Sequence, residues 1–304
     1  MGDDHSEHGG EVRSGRPAGC QFAVDEVSPS YWRVTFENGP VNLIDADSIE
    51  QLAHLISRIE ESPSLAVVVF DSANPDYFMA HWDLRVDRRR ITAMALGPTN
   101  LHPYVDNLVR LSKVPAVTIS AIRGRARGAG SEFVLATDIR FAGDKAILGQ
   151  FEVGLGAVPG GGAMARLARL VGRARAAEIL LGGDDVSAEL AARYGYVNRV
   201  LPDAGLASFV DVFARRIAGF DKAAVVGIKA LLDVASLPPD DELGPGFAAF
   251  LRTSGRPQSA AAVRYLLDNG LQTAVGVEQD LGRVIGEFAA ALEPWRGDGR
   301  NAGE

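Results

Sequence analysis

The stretch that decides how this chain is read is Gly124-Arg125-Ala126-Arg127-Gly128-Ala129-Gly130-Ser131-Glu132. Just before it, Ala116–Ile122 is a continuous run of β-branched and small apolar residues, typical of a strand buried on both faces. Just after the glycines, Ser131–Ala136 reads as a helix. A strand that ends in a glycine-rich loop and opens a helix leaves the first helical N–H groups without intrahelical partners. Those donors can hold a phosphate or a developing oxyanion. The spacing Gly124-x3-Gly128-x-Gly130 matches neither the dinucleotide fingerprint nor a phosphate loop, since no Gly-Lys-Ser/Thr follows. An oxyanion fits better, because Glu132 stands two residues past the last glycine.

A second stretch, Gln150-Phe151-Glu152-Val153-Gly154, places another glutamate 20 residues downstream, again in turn-like sequence. A lone glutamate in a first helical turn is usually only a favourable dipole partner. Two carboxylates beside a backbone-donor loop instead suggest acid–base chemistry on a carbonyl compound. A second donor has a natural place in Tyr77–Leu84, which follows the apolar strand Leu65–Phe70 and the turn Asn74-Pro75-Asp76.

Outward from these loops the chain reads as a β/α core followed by helices. Phe22–Phe36 holds two strand-like runs around Ser28-Pro29-Ser30, a hairpin signal. Asp47–Glu61 has Ile49, Leu52, Ala53, Ile56 and Ile59 on one helical face. Asp47 with Glu50 resembles a capping box, and Ser62-Pro63 ends the helix. Ile139–Ala142 and Ala146–Leu148 are short strands. Pro159-Gly160-Gly161-Gly162 reads as a backbone turn closing the pocket floor, and residues 163–293 read as mostly helical. The expected organisation is a disordered tail over 1–19, a core over 20–202, a helical oligomerisation region over 203–293 and a second disordered tail over 294–304.

With 304 residues, 47% hydrophobic and 23% charged, the chain has the composition of a soluble globular protein. No apolar run approaches the length of a membrane span, and the acidic N-terminus lacks the apolar stretch of a signal peptide. A single cysteine, Cys20, excludes an internal disulfide, and no Cys/His cluster has zinc spacing. These features point to a cytoplasmic, metal-free protein. A net charge of −8 argues against nucleic acid as the main partner. The arginine clusters Arg85/Arg88/Arg89/Arg90 and Arg123/Arg125/Arg127 read as solvated surface or as a phosphate-binding rim. Asp83 and Asp138 read as turn and cap residues.

At these residues the chain resembles the crotonase (enoyl-CoA hydratase/isomerase) superfamily, from about Phe22 to about Pro202. Gly39–Asp45 resembles the family's P-x-N-A-hydrophobic-D, and Phe78–Leu84 its F-S-A-G-x-D-L. Lys113–Glu132 resembles K-P-x-I-A…G-x-A-x-G-G-G-x-E, Ala136–Ala142 resembles A-x-D-x-R-x-A, and Gly149–Leu167 resembles G-x-P-E…G-x-x-P-G-x-G-G…L. Five matches in order make the resemblance specific. It implies an α/β, crotonase-like ββα-spiral core whose C-terminal helices support a homotrimer or hexamer. It implies an acyl-CoA thioester substrate with no separate cofactor, coenzyme A being part of the substrate. The implied oxyanion donors are the backbone N–H groups of Trp82 and Ala129. The implied acid–base pair is Glu132 and Glu152, and Arg85, Ala80 and Gly128 fall at the CoA-binding positions. Relatives that keep only the second glutamate tend to be isomerases, so the pair favours hydration. The lysine-rich helix of RNA-binding relatives is absent, Lys113, Lys145, Lys222 and Lys229 being scattered.

The chain departs from the pattern in three places. His81 replaces a glycine whose presence suggests close approach or positive φ. Trp82 puts an indole where the family has a small residue, and Ala129 replaces a glycine of the second donor loop. His81 reads either as a structural histidine hydrogen-bonded in a tight turn or as a third catalytic group beside Glu132 and Glu152. The alternatives to a hydratase are therefore an isomerase or a C–C or thioester hydrolase that uses His81. A catalytically inactive scaffold is a further alternative, if Trp82 fills the acyl pocket.

Overall fold

The computed structural model describes residues 19–291, and side chains as far as residue 288. The readings for residues 1–18 and 294–304 lie outside the described residues.

The strands are β1 (Phe22–Ser28), β2 (Tyr31–Phe36), β3 (Val67–Ser72), β4 (Tyr77–Met79), β5 (Val117–Ile122), β6 (Arg125–Arg127), β7 (Ile139–Gly143), β8 (Ile147–Gly149), β9 (Val186–Ser187) and β10 (Arg199–Leu201). They form two mixed sheets, one ordered β1-β2-β3-β5-β7-β10 and the other β4-β6-β8-β9. In the larger sheet only the β1–β2 hairpin is antiparallel. Three times in succession a strand of the large sheet is followed by a strand of the small one: β3 by β4, β5 by β6, β7 by β8. Helices close each turn, which gives the spiral that the resemblance implies.

The helices are α1 (Ala46–Glu61), α2 (Arg88–Thr92), α3 (Pro103–Lys113), α4 (Ala129–Leu135), α5 (Ala163–Val171), α6 (Arg173–Gly182), α7 (Ala188–Tyr194), α8 (Asp203–Ala218), α9 (Lys222–Ser236), α10 (Gly244–Ser254), α11 (Pro257–Asp268) and α12 (Leu281–Ala291). The run Val67–Phe70 is apolar at every position because both of its faces are covered. Val68 and Phe70 join the main core with α1 and α3. Val67 and Val69 face the other way, against Leu206, Val210 and Ala214 of α8.

Two sequence expectations shift. The capping box of α1 is built from Asp45 and Ser48, not Asp47 and Glu50. Asp45 is in extended backbone and reaches the Ser48 N–H, whereas Asp47 already lies in the first turn, where Arg90 pairs with it. The region after Gly162 is mostly helical as expected, but it also supplies β9 and β10. Both are two- or three-residue edge strands, too short to show a period of two.

The C-terminal helices split between two roles. Leu266, Leu271, Leu281 and Ile285 pack over Phe151 and Leu155, the neighbours of Glu152. In α9, Ile228, Leu231, Leu232 and Val234 are all more than half exposed.

Candidate functional site

A cavity of about 510 Å³ opens between the 81–88 loop, the starts of α3 and α4, the turn at Glu152–Leu155, and helices α10 and α11. Its walls include His81, Trp82, Tyr104, Ala129, Glu132 and Glu152, so the sequence-derived catalytic residues and both backbone donors converge on one space. Arg85 is exposed at its edge. Ala80 and Gly128 do not line it. The Ala80 N–H is donated to the carbonyls of Val41 and Asn42, and its own carbonyl accepts from Arg127.

The two donors arise from local backbone logic. Ile44 donates its N–H to the His81 carbonyl (2.9 Å) and accepts the Asp83 N–H (2.8 Å). These bonds flank Trp82 and turn its own N–H away from the bridge, with no acceptor among the described residues. Ala129 is the first residue of α4, so its N–H is one of the helix's orphan donors. Ala129 is not among the residues with positive φ, and alanine is therefore unstrained there. Gly128 does require glycine: its φ is +48°, and a Cβ would meet Glu152 Oε1 at 2.8 Å. At Gly130 a Cβ would fall 1.9 Å from the Met79 carbonyl, so α4 can approach β4 closely only without a side chain.

The two carboxylates are buried but held very differently. Glu132 Oε2 accepts the Tyr104 hydroxyl at 2.7 Å. Its Oε1 accepts the Gly161 N–H at 2.6 Å and the Ala163 N–H at 3.3 Å. Burial raises the Glu132 carboxyl above the ordinary range, while these three donors and the nearby Arg166 oppose the rise. Glu152 has no such cradle, and its Oε2 is buried without a partner. Burial first, and the charge of Glu132 second, push it up to about 8. Burial thus pushes both carboxyls up, and Glu132 is the one whose charged form is supported by the Tyr104 hydroxyl and the Gly161 and Ala163 N–H groups.

His81 is almost fully buried, and its φ is not in the left-handed region that the family's glycine would suggest. Its ring lies edge-on to Phe151. Its Nδ1 is 2.7 Å from the Trp82 carbonyl and its Nε2 is 3.0 Å from Glu278 Oε2. The Trp82 carbonyl can only accept, so Nδ1 carries the hydrogen of that contact, and Nε2 faces the Glu278 carboxyl. Burial alone would raise the Glu278 carboxyl, but His81, the Gln272 N–H and Arg127 hold it below the usual range.

The second arginine cluster is neither solvated surface nor a phosphate rim throughout. Arg127 is buried, with Nε and Nη2 on the two oxygens of Asp185 at 2.6 Å each and Nη1 on the Glu278 carbonyl at 2.9 Å. Arg125 donates to the Gln279 carbonyl. In the first cluster, Arg88 donates to the Leu251 carbonyl and to Ser254 Oγ, and Arg90 pairs with Asp47. The Arg85 guanidinium makes no hydrogen bond or ion pair among the described residues and stands exposed at the cavity edge. Asp83 caps a turn by accepting the Arg85 N–H, and Asp138 accepts from Thr118 while pairing with Lys229. Among the described residues no three His, Cys, Asp or Glu side chains are placed to hold a metal ion, and no helix is long and apolar enough to cross a membrane.

Sequence reading missed Tyr104, the Gly161 and Ala163 donors, and the group Glu278, Gln272 and Asp185. Only the Gly160–Gly162 turn carried a signal, since free N–H groups at a glycine turn beside a carboxylate are natural donors.

Comparison with known proteins gives a consistent picture. Residues 27–241 match the family model described as Enoyl-CoA hydratase/isomerase. A probable mitochondrial enoyl-CoA hydratase 2 of Arabidopsis thaliana is 36% identical over 163 residues, covering 52% of this chain and 52% of that protein, so the match spans about half of the relative's length. A short-chain-enoyl-CoA hydratase of Clostridium acetobutylicum is 30% identical over 177 residues, 58% of this chain and 67% of that protein. The crystal structure of a provisionally assigned enoyl-CoA hydratase from Streptomyces avermitilis superposes with a TM-score of 0.83 at 39% identity, over 90% of this chain and 99% of that one.

Proposed function

Since the chain belongs to the enoyl-CoA hydratase/isomerase family, we propose that it adds water reversibly to a 2-enoyl-CoA thioester. The observation that carries this reading is the pairing, in one cavity, of Glu132, whose carboxyl oxygens accept three hydrogen bonds, with Glu152, whose Oε2 is buried without a partner, beside two backbone N–H groups that have no acceptor among the described residues. Hydration needs one base and one acid. The thioester carbonyl sits between the Trp82 and Ala129 N–H groups. Glu132 takes a proton from water as its oxygen bonds to the β-carbon, and the C=C electrons move onto the thioester oxygen as an enolate. The two N–H donors stabilise that charge as it develops. The enolate collapses as Glu152 gives its proton to the α-carbon. The product is the 3-hydroxyacyl thioester, and proton exchange returns each glutamate to its starting state.

Arg85 at the cavity edge is the residue for the CoA phosphates. His81 serves the reaction by holding the Trp82 carbonyl rather than by touching substrate, since both of its nitrogens face protein acceptors. This weighs against an isomerase or hydrolase that uses His81 as its base. The open cavity weighs against an inactive scaffold, because the Trp82 indole packs against Tyr104 and leaves the space beyond it free. The exposed apolar face of α9 supports assembly as a homotrimer or hexamer.

The test is calorimetric binding of CoA and a short 2-enoyl-CoA, followed by loss of enoyl absorbance on the same sample. Turnover that vanishes in Glu132→Gln supports hydration. Binding with turnover that survives Glu132→Gln indicates isomerisation through Glu152, and absence of binding removes CoA from the account.

A further inference from the structure

Both donor loops of the cavity are tied to one buried carboxylate that comes from the far end of the chain. Glu278, in the short turn Gly276–Asp280, has no exposed surface. Its Oε2 lies within hydrogen-bond distance of His81 Nε2 at 3.0 Å and accepts the Gln272 N–H at 2.9 Å. Through His81 it reaches the Trp82 peptide, because His81 Nδ1 holds the Trp82 carbonyl. Its own carbonyl accepts Arg127 Nη1, and its Oε1 lies 3.8 Å from the same guanidinium. Arg127 is two residues before Ala129, on the strand that delivers the second donor. Gln272 adds a hydrogen bond to Asp83 Oδ1, on the other side of Trp82.

We propose that Glu278 is a positioning residue for the oxyanion hole: its carboxylate, shared between His81 and Arg127, fixes the Trp82 and Ala129 peptides relative to each other. This rests on the reading of those two N–H groups as oxyanion donors. The Trp82 N–H shares its peptide plane with the His81 carbonyl, which Ile44 holds, while the His81 side chain holds the next peptide at the Trp82 carbonyl, so the backbone on both sides of the donor is restrained from turning. Charge-assisted bonds between buried groups resist rotation more than neutral ones. Glu278 lies behind the loops and touches no substrate, so it acts on the developing enolate and leaves ground-state binding of the thioester largely alone.

The experiment compares wild type with Glu278→Gln, which keeps shape and removes charge, using acetoacetyl-CoA as an enolate-forming probe. Wild type is expected to bind it with the near-ultraviolet band of the enolate. Glu278→Gln is expected to bind it with similar affinity but with the enolate fraction, and kcat for hydration, down about tenfold or more while KM changes little. His81→Gln should do the same from the loop side, and the double variant should be no worse than the more impaired single one. Thermal unfolding of each variant separates this from simple loss of structure, and His81→Gln carries the test if Glu278→Gln fails to fold. Enolate band and kcat at wild-type levels in these variants overturn the proposal. A wild type that binds the probe without any enolate band overturns the oxyanion reading, and the proposal with it.

Discussion

Tyr104, on the first turn of α3, donates its hydroxyl to Glu132 Oε2 over 2.7 Å, and its ring packs edge-on against the Trp82 indole. Burial and the neighbouring Glu132 hold the phenol well above its ordinary pKa, so it stays a donor across the working range. It therefore acts on the charge state of the proposed base, Glu132, and on the width of the cavity at once.

Tyr104→Phe removes one of three donors that oppose the upward push of burial on Glu132. The Glu132 carboxyl should rise further, and the acid limb of kcat/KM should move to higher pH. A loss of about tenfold in kcat at neutral pH corresponds to one charged hydrogen bond of roughly 1.5 kcal/mol. A pH–rate series on the variant decides it, and an acid limb left where wild type has it would remove Tyr104 from this role.

The alkaline limb belongs to the other glutamate. On the proposed mechanism Glu152 must carry its proton to act as the acid, and burial pushes its carboxyl up to about 8, so kcat/KM should fall tenfold per pH unit above about 8. Glu132→Gln and Glu152→Gln should each cost about 10² to 10⁴ in kcat, and the double variant little more than one of them, since the pair works as a unit. Additive losses in the double variant would argue against a shared mechanism.

The same carboxyl makes a stability prediction of definite sign. An unfolded glutamate ionises near its ordinary value, whereas folded Glu152 holds its proton up to about 8. Between those values the native state binds the extra proton, so stability falls as pH rises, and the penalty is complete above pH 8. Glu152→Gln removes the titrating group. Its melting temperature should match wild type near pH 4.5 and exceed it by about 5 °C at pH 8.5. Calorimetric scans across that interval check this, and a gap that is constant with pH would contradict it.

The Trp82 indole lines the cavity, and on the proposed mechanism it bounds the acyl chain while its backbone N–H serves as donor. Trp82→Ala should raise kcat/KM for longer or branched 2-enoyl thioesters relative to the four-carbon one by about tenfold, the scale of one or two methylenes in an apolar pocket. Competition between two chain lengths in one reaction reads the ratio directly.

Much of this was legible along the chain. The Gly124–Glu132 junction, the second glutamate at 152 and the donor segment at 77–84 are local patterns, each set by what a strand, a tight turn or a helix start demands of its own residues. Their meeting in one cavity followed from the resemblance. What the sequence did not disclose is long-range pairing. Tyr104 is an ordinary helical aromatic until α3 is laid against α4. Arg127 looks like one of three surface arginines until Asp185 and Glu278 are brought to it. Glu278 sits in a polar turn among helices, and nothing near it signals a partner 197 residues away. The misplaced cap at Asp47 has a smaller cause, since two aspartates two residues apart offer the same signal and only the backbone angle of Asp45 decides between them.

The bond between His81 and Glu278 also bears on how the protein comes into being. It closes a loop spanning most of the chain, and contacts of that separation form late, because ordering entropy must be overcome before they contribute. During synthesis the sheets and both glutamates can be in place while residue 278 is still inside the ribosome. Refolding chains should accordingly regain circular dichroism before they regain turnover, with catalysis marking the moment when the two ends of the molecule find each other.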